Sequence, residues 1–346
     1  MNGARIALFS LLSLAACSSA SNSPPTSTGG LNGVAGDGEG GIANSGGHTA
    51  SSGDGAADSA GNSTHSTGGD DMNHGGVSRA CPSVREASDA GTVGPKSLSE
   101  ASGLVASRVH PRVLWLHNDS GDAPRIFATR DDGLALGVVE LEGAEARDWE
   151  DIAQGPGPIE GKSYLFIGDI GDNARERESV HIYRVEEPAL DDTGRPKVSS
   201  VRADRIEVRY AKGPRDAETL MVDPLSGDLY IVEKNLTDSG VYRIPRPGVG
   251  DSSVTTKAVA HVNLLLSTGG DVLPTGEGFA VRTYMGITYW PRDPAQPLEA
   301  AFDGTPCSLP LTSEPQGEAF GFFRDGSGYF TLSEGEAAML HAYRFK

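Results

Sequence analysis

Arg147-Asp148-Trp149-Glu150-Asp151-Ile152 sets an aromatic and a branched apolar side chain among acids, shortly after the apolar run at 136–141. The figure returns along the chain: a small or polar residue, an acid, then a short apolar strand. It reads as Glu100-Ala101-Ser102-Gly103-Leu104, Asp216-Ala217-Glu218-Thr219-Leu220 and Gln316-Gly317-Glu318-Ala319-Phe320, with a weaker copy at Thr268-Gly269-Gly270-Asp271-Val272. The successive acids Glu100, Glu150, Glu218, Asp271 and Glu318 stand 50, 68, 53 and 47 residues apart. Self-similarity at roughly 40–50 residues, with several strands per unit, is the signature of a β-propeller.

Working outward, alternation and β-branched enrichment give each unit a run of short strands bounded by Gly, Asp and Pro. Hairpin turns are written at Asp131-Asp132-Gly133, Pro274-Thr275-Gly276 and Asp325-Gly326-Ser327-Gly328, where Gly and Asp supply left-handed or side-chain-bonded turns. The fourth unit takes residues 298–302 as its outer strand. The fifth runs out of chain after three strands. Residues 84–93, ahead of the first unit, are left to fill that gap and close the ring. The expectation is an all-β, five-bladed propeller over residues 81–346, closed by an N-terminal strand. The 68-residue interval leaves six blades as the alternative.

The first 80 residues differ in kind. Arg5 precedes a short apolar core at 6–14, and Leu14-Ala15-Ala16-Cys17 resembles a bacterial lipobox. Residues 1–16 read as a signal peptide whose apolar part is too short for a stable bilayer span. The lipobox resemblance implies cleavage before Cys17 and acylation of that cysteine; the alternative is an ordinary signal peptide with a chance Cys. Ser18, not Asp, follows the cysteine, which points to the outer membrane or the cell surface rather than inner-membrane retention. Residues 17–80 are Gly, Ser, Asn and Thr with scattered acids, too poor in apolar side chains to offset ordering entropy. They are expected to form a tether with a reach of roughly 45 Å. His48, His65 and His74 lie in it as solvated spacer residues.

With Cys17 assigned to lipid, Cys81 and Cys307 remain as an even pair in an oxidising compartment, expected as a disulfide; two buried thiols are the alternative. The net charge of −18 argues against nucleic acid and anionic lipid surfaces as partners. It suits cations, or simple solubility. The expected partners are the membrane, through the lipid, and a small-molecule or protein ligand. The expected state is a monomer.

In a propeller blade the innermost strand starts, and the second strand ends, at the same face. The acids Glu100, Glu150, Glu218, Asp271 and Glu318 should therefore meet the loops after the second strands. These loops contain Asn118-Asp119-Ser120-Gly121, Gly168-Asp169-Ile170-Gly171-Asp172-Asn173, Glu233-Lys234-Asn235, Arg282-Thr283-Tyr284 and Ser333-Glu334. Acids around one axis raise each other's pKa values, and a hard cation relieves the repulsion. Ca²⁺ takes about six to eight oxygens, and Asp169, Asp172 and Asn173 add to the supply. Cys and His are too few for a zinc site. The blander reading has these acids bonding backbone N–H groups of neighbouring blades, with Asp148 and Asp151 bonding loop amides. Lys234 and Arg282 stand at the same face, either to hold an anion or to balance charge. His117 or a channel Glu is the candidate general base; His117 reads equally as a satisfied loop histidine. No G-x-S-x-G context, phosphate loop or dinucleotide fingerprint is present.

The repeat openings, with Asn118-Asp119-Ser120-Gly121 and Gly168-Asp169-Ile170-Gly171-Asp172-Asn173, resemble secreted bacterial propellers akin to the esterase-like phytase and regucalcin-type groups. The five-unit count is similar to calcium-activated nucleotidases. The resemblance covers about residues 97–346. It implies Ca²⁺ in the central channel, with Glu100, Glu150, Glu218 and Glu318 matching the openings and Asp271 departing from Glu. Function is expected to be ligand or Ca²⁺ binding at an acidic channel. The alternatives are a Ca²⁺-dependent phosphohydrolase or esterase on the same face, and a purely adhesive module.

Overall fold

The computed structural model describes residues 81–346. These form five antiparallel-cored sheets, each starting at its inner strand and running outward. Strand β1 (Ser88–Thr92) comes first but is used last. The first blade is β2 (Ala101–Ala106), β3 (Val113–Asn118), β4 (Arg125–Arg130) and β5 (Ala135–Glu142). The second is β6 (Trp149–Pro156), β7 (Ser163–Asp169) and β8 (Val180–Glu186), then, after the short strand β9 (Ser200–Arg202), β10 (Asp204–Tyr210). The third is β11 (Ala217–Val222), β12 (Leu229–Glu233) and β13 (Ser239–Ile244), then, beyond β14 (Ser252–Thr256), β15 (Ala258–Val262). The fourth is β16 (Ser267–Val272), β17 (Gly278–Thr283), β18 (Gly286–Pro291) and β19 (Cys307–Leu309). The fifth is β20 (Gly317–Phe322), β21 (Gly328–Ser333) and β22 (Met339–Arg344).

β1 completes the fifth blade by pairing antiparallel to β22, Ser88 opposite Ala342, and Val84 bridges to Phe345. The ring is thus closed by the N-terminal strand, as the sequence led us to expect. Cys81 and Cys307 form a disulfide that ties the strand-closing segment to the fourth blade across 226 residues. A loop of that length is worth about 5 kcal/mol in the chain-entropy account.

The ring is held by five apolar layers, one between each pair of successive blades. Trp115 and Ile126 of the first blade meet Trp149 and Ile167 of the second. Phe166 meets Leu220 and Ile231, Tyr230 meets Phe279 and Trp290, and Ile287 meets Phe320 and Tyr329. Phe330 and Leu332 then return to Leu114 and Phe127. Each inner strand is buried along nearly its whole length and carries buried polar residues as well as apolar ones, whereas the outer β5 alternates buried and exposed. Left-handed glycines at Gly133, Gly276 and Gly326 make the hairpin turns.

Two details differ from expectation. The 68-residue interval holds no sixth blade. Its surplus, between β8 and β10, is an arm whose β9 pairs parallel to β5 of the first blade. The next connection does the same, sending β14 parallel to β10 of the second blade. Each arm covers an edge strand with backbone partners. Residues 298–302 are not a strand: Leu298–Asp303 is a 3-10 helix behind Pro297, and the fourth blade's outer strand is Cys307–Leu309. The signal peptide 1–16, the acylation site Cys17 and the tether 17–80 lie outside the described residues.

Candidate functional site

The true register of the repeat is set by a β-bulge. In every blade the pairing of first and second strands skips one residue near the opening of the first strand. The skipped residues are Ser102, Glu150, Glu218, Thr268 and Glu318, all buried. A bulge leaves its extra residue unpaired and re-aims its side chain, so five side chains are delivered to one mouth. Where the residue is a hydroxyl, it donates to the bulged carbonyl of the next blade: Ser102 Oγ to Glu150 O, and Thr268 Oγ1 to Glu318 O at 3.3 Å.

This corrects two members of the expected acid ring. Glu100 lies two residues before the bulge and is exposed at the rim, its carbonyl accepting the Asp119 N–H at 2.8 Å. Asp271 lies three residues beyond Thr268 and does structural work. Its carboxylate accepts N–H groups of Phe322 (2.9 Å) and Val272 (2.8 Å) and pairs with Arg108 of the first blade at 3.3 Å. Asp151 acts likewise, taking N–H groups of Ile152, Leu220 and Gly270 at 2.9, 2.9 and 3.1 Å.

A second ring follows from the first. The residue just past the end of each second strand is Asp119, Ile170, Lys234, Tyr284 or Glu334. Three of them are fixed by one repeated bond, from their own N–H to the carbonyl two residues before the bulge: Asp119 to Glu100 (2.8 Å), Lys234 to Asp216 (2.9 Å) and Glu334 to Gln316 (2.9 Å). In the second blade Gly171 makes this bond, to Asp148 at 3.2 Å.

The carboxylates of the two rings come together, joined by Asp148, two residues before the bulge of the second blade. Oxygens of Asp119, Asp148 and Glu150 lie within 4.8 Å of one another, and so do oxygens of Asp119, Glu318 and Glu334. Lys234 Nζ binds Glu218 Oε1 and stands 5.5 Å from the Tyr284 ring, whose hydroxyl donates to Glu318 Oε1 at 2.7 Å. Glu150 is 4% exposed, yet its carboxylate accepts no hydrogen bond among the described residues. Glu218 Oε2 is also buried without a partner.

Burial, with Glu218 and Asp119 nearby, pushes the Glu150 carboxyl well above the usual range. Burial does the same to Glu218 against the pull of Lys234. Asp119 is pushed up to about 7 by burial, with Glu318, Asp148 and Glu100 adding to it against the Ser120 amide. Glu334 is pushed up to about 8 by burial, then by Glu318 and Asp119. Such a cluster can take protons or cations and can donate oxygen to a hard metal.

Other expected site residues are committed elsewhere. Asp169 is clamped by Arg177 through two 3.0 Å bonds and accepts the Asp148 N–H at 2.9 Å. Asp172 caps its own loop through the N–H groups of Glu176 and Arg177 at 3.0 and 2.9 Å. Asn173 is exposed. Arg282 is buried, bonding Ala319 O at 2.9 Å and pairing with Glu314, so it balances an internal charge and does not present itself to an anion. His117 is fully buried, edge-on to Trp149, with Nδ1 2.7 Å from Asn118 O, and burial holds it neutral, down to about 4. That is no position for a general base at the mouth.

The site members outside the expected set are Asp119, Asp148, Glu334 and Tyr284. Their signal was the position directly after each second strand, or two before each bulge, once the bulge register is known.

No family model matches the sequence, and no curated protein matches it. Among solved structures the chain is similar to one in a nidogen/laminin complex (15% identity, TM-score 0.39, covering 67% of this chain and 72% of that one). It is also similar to Raptor of Chaetomium thermophilum (9%, 0.39, covering 75% and 29%) and to the Pan2 WD40 domain of Neurospora crassa (10%, 0.38, covering 74% and 95%). Likeness at this level says nothing of ligand or activity.

Proposed function

We propose that this chain is a lipid-anchored, extracytoplasmic propeller that binds a hard divalent cation, calcium, at its channel mouth and presents that face to a ligand. The observation that carries the reading is Glu150. Carboxylates crowded this closely raise one another's pKa values, and a hard cation among them relieves the repulsion. Asp119 and Asp148 converge on it, all with oxygen ligands, the chemistry Ca²⁺ selects. Gly171 leaves the space these oxygens need, since a methyl group there would occupy it. Asp119, Asp148 and Glu150 would hold the ion, and the ion would supply a positive charge fixed at the mouth. Kinship to the esterase-like phytase and regucalcin-type propellers is part of this reading, as is anchoring through acyl-Cys17 at the outer membrane or cell surface.

The test is thermal denaturation of EDTA-stripped protein with and without added Ca²⁺. The expected result is a Tm rise in the wild type that Glu150→Gln abolishes. No rise in the wild type removes the metal from the account.

A second reading, a Ca²⁺-dependent phosphohydrolase or esterase, is favoured by Lys234, a cation beside Glu218 and Tyr284 at the same mouth. There the metal and Lys234 would steady a phosphoryl or carboxyl oxygen, as such pairs do. A panel of phosphoesters, nucleotides and lactones, run with and without Ca²⁺, decides it. Turnover that survives Glu150→Gln and Glu218→Gln places the chemistry elsewhere.

A further inference from the structure

We infer that the face opposite the mouth carries a second binding site, for a small organic carboxylate with an aromatic or other apolar body. The site lies at the seam between the first and fifth blades, where the ring closes. It stands whether or not the mouth holds a cation. Among the turns that follow the inner strands β2 and β20, the seam keeps a cavity of about 200 Å³. Its floor is apolar: Leu114 from the first blade, Phe323 and Phe330 from the fifth. All three are buried, and the two rings lie 4.3 Å apart between centres. Its rim is cationic, made by Arg112, Arg324 and Arg344.

The three arginines are not equivalent. Arg112 spends its charge on Asp131 at 2.8 Å and Asp132 at 3.6 Å. Arg324 and Arg344 pair with no carboxylate among the described residues. Arg324 is steadied at Nε by the Arg108 carbonyl at 2.9 Å, which leaves its terminal nitrogens to face a ligand. Arg344 lies over the Phe323 ring, 5.1 Å from its centre. Asp325, also on the rim, turns its carboxylate into its own loop, accepting the Ser327 N–H at 3.0 Å and hydroxyl at 2.6 Å. A guanidinium is a planar fork that matches a carboxylate, and bonds of that kind are among the strong ones. Two unpaired forks above an apolar floor call for an anion at one end of the ligand and hydrocarbon at the other. The room is below the roughly 300–1,000 Å³ of drug-sized sites, so it suits one ring or a short chain. Inorganic phosphate would leave the phenylalanine floor unused, and a neutral ring would leave the forks unused.

Benzoate is the probe, titrated into the full-length chain after metal removal on a chelating resin. Ligand-observed NMR reads affinity and thermal denaturation reads stability. Saturable binding at millimolar benzoate is expected. Tm should rise with concentration, as binding to the folded state alone requires. Benzamide, the same shape without the charge, should bind about tenfold more weakly or worse. Arg324 and Arg344 are exposed, so Arg324→Met and Arg344→Met should leave the ligand-free Tm nearly unchanged while each weakens benzoate by about tenfold. No saturable binding, or benzamide as tight as benzoate, overturns the site. So does benzoate affinity unchanged in both variants, which places the anion elsewhere. Inorganic phosphate bound as tightly as benzoate overturns the ligand class. The comparison of benzoate with benzamide depends on no variant, and none of these failures touches the calcium reading, since the mouth is metal-free throughout.

Discussion

Gly171 lies against the Glu150 carboxylate so closely that a methyl group at 171 would stand 2.1 Å from Glu150 Oε1 and 2.5 Å from Asp148 Oδ2. The backbone of Gly171 is outside the left-handed region, so the demand for glycine here is one of space. Gly171→Ala should therefore leave the fold intact, at a cost of about 1–3 kcal/mol for local overpacking. It should weaken Ca²⁺ binding more than tenfold by pushing two ligand carboxylates apart. Calorimetric titration of the variant checks this; unchanged affinity would mean that these two oxygens do not hold the ion.

The architecture was legible in the sequence because five units repeat a small or polar residue, an acid and a short apolar strand, and because the fifth unit visibly lacks its outer strand. The register of the ring was not legible. Glu100 and Asp271 meet the rule of an acid near an opening, yet the bulge falls on Ser102 and Thr268, and a bulge reads in sequence as no more than one extra residue. The commitments of Asp169 to Arg177 and of Arg282 to Glu314 were also hidden. An arginine eight or 32 residues away gives no sign of which carboxylate it will meet. The ring of Asp119, Lys234, Tyr284 and Glu334 could be seen only as loop composition until the strand ends were fixed.

Asp151 sits beside Glu150 in sequence but bonds N–H groups of the second, third and fourth blades. It is a rivet for the ring. Asp151→Ala leaves three buried amides unsatisfied, and each such group costs about 1–3 kcal/mol. Chemical denaturation should show a loss of about 3–5 kcal/mol, while the number of Ca²⁺ ions bound by the folded fraction stays at the wild-type value. A change in ion count with no loss of stability would reverse the roles assigned to Asp151 and Glu150.

The metal-free protein should lose stability as pH rises. Asp119 and Glu334 are held near 7 and near 8 in the folded state, above their ordinary values near 4. Between those limits the folded chain binds more protons than the unfolded one, so unfolding free energy falls with increasing pH. In EDTA, Tm should therefore decline from pH 5 to pH 8 and level off above that. Saturating Ca²⁺ should flatten or invert the slope, because the ion replaces the protons as the neutralising charge. A Tm in EDTA that climbs across this window would show that these carboxyls are not crowded in solution.

Lys234 separates a structural base from a ligand-holding one. Its ammonium is paired with the buried Glu218, so Lys234→Met strands that carboxylate. The metal-free protein should lose about 1–3 kcal/mol, less than for a fully buried pair because Lys234 is partly exposed. Removing a positive charge from the mouth should at the same time tighten Ca²⁺ binding severalfold. If Lys234 also steadies an oxyanion, inorganic phosphate binding to the Ca²⁺-loaded protein should weaken in the same variant by tenfold or more. Parallel titrations with Ca²⁺ and with phosphate read both effects. Tighter calcium with unchanged phosphate makes Lys234 a partner of Glu218 alone. Weaker calcium would contradict the electrostatics of the whole mouth.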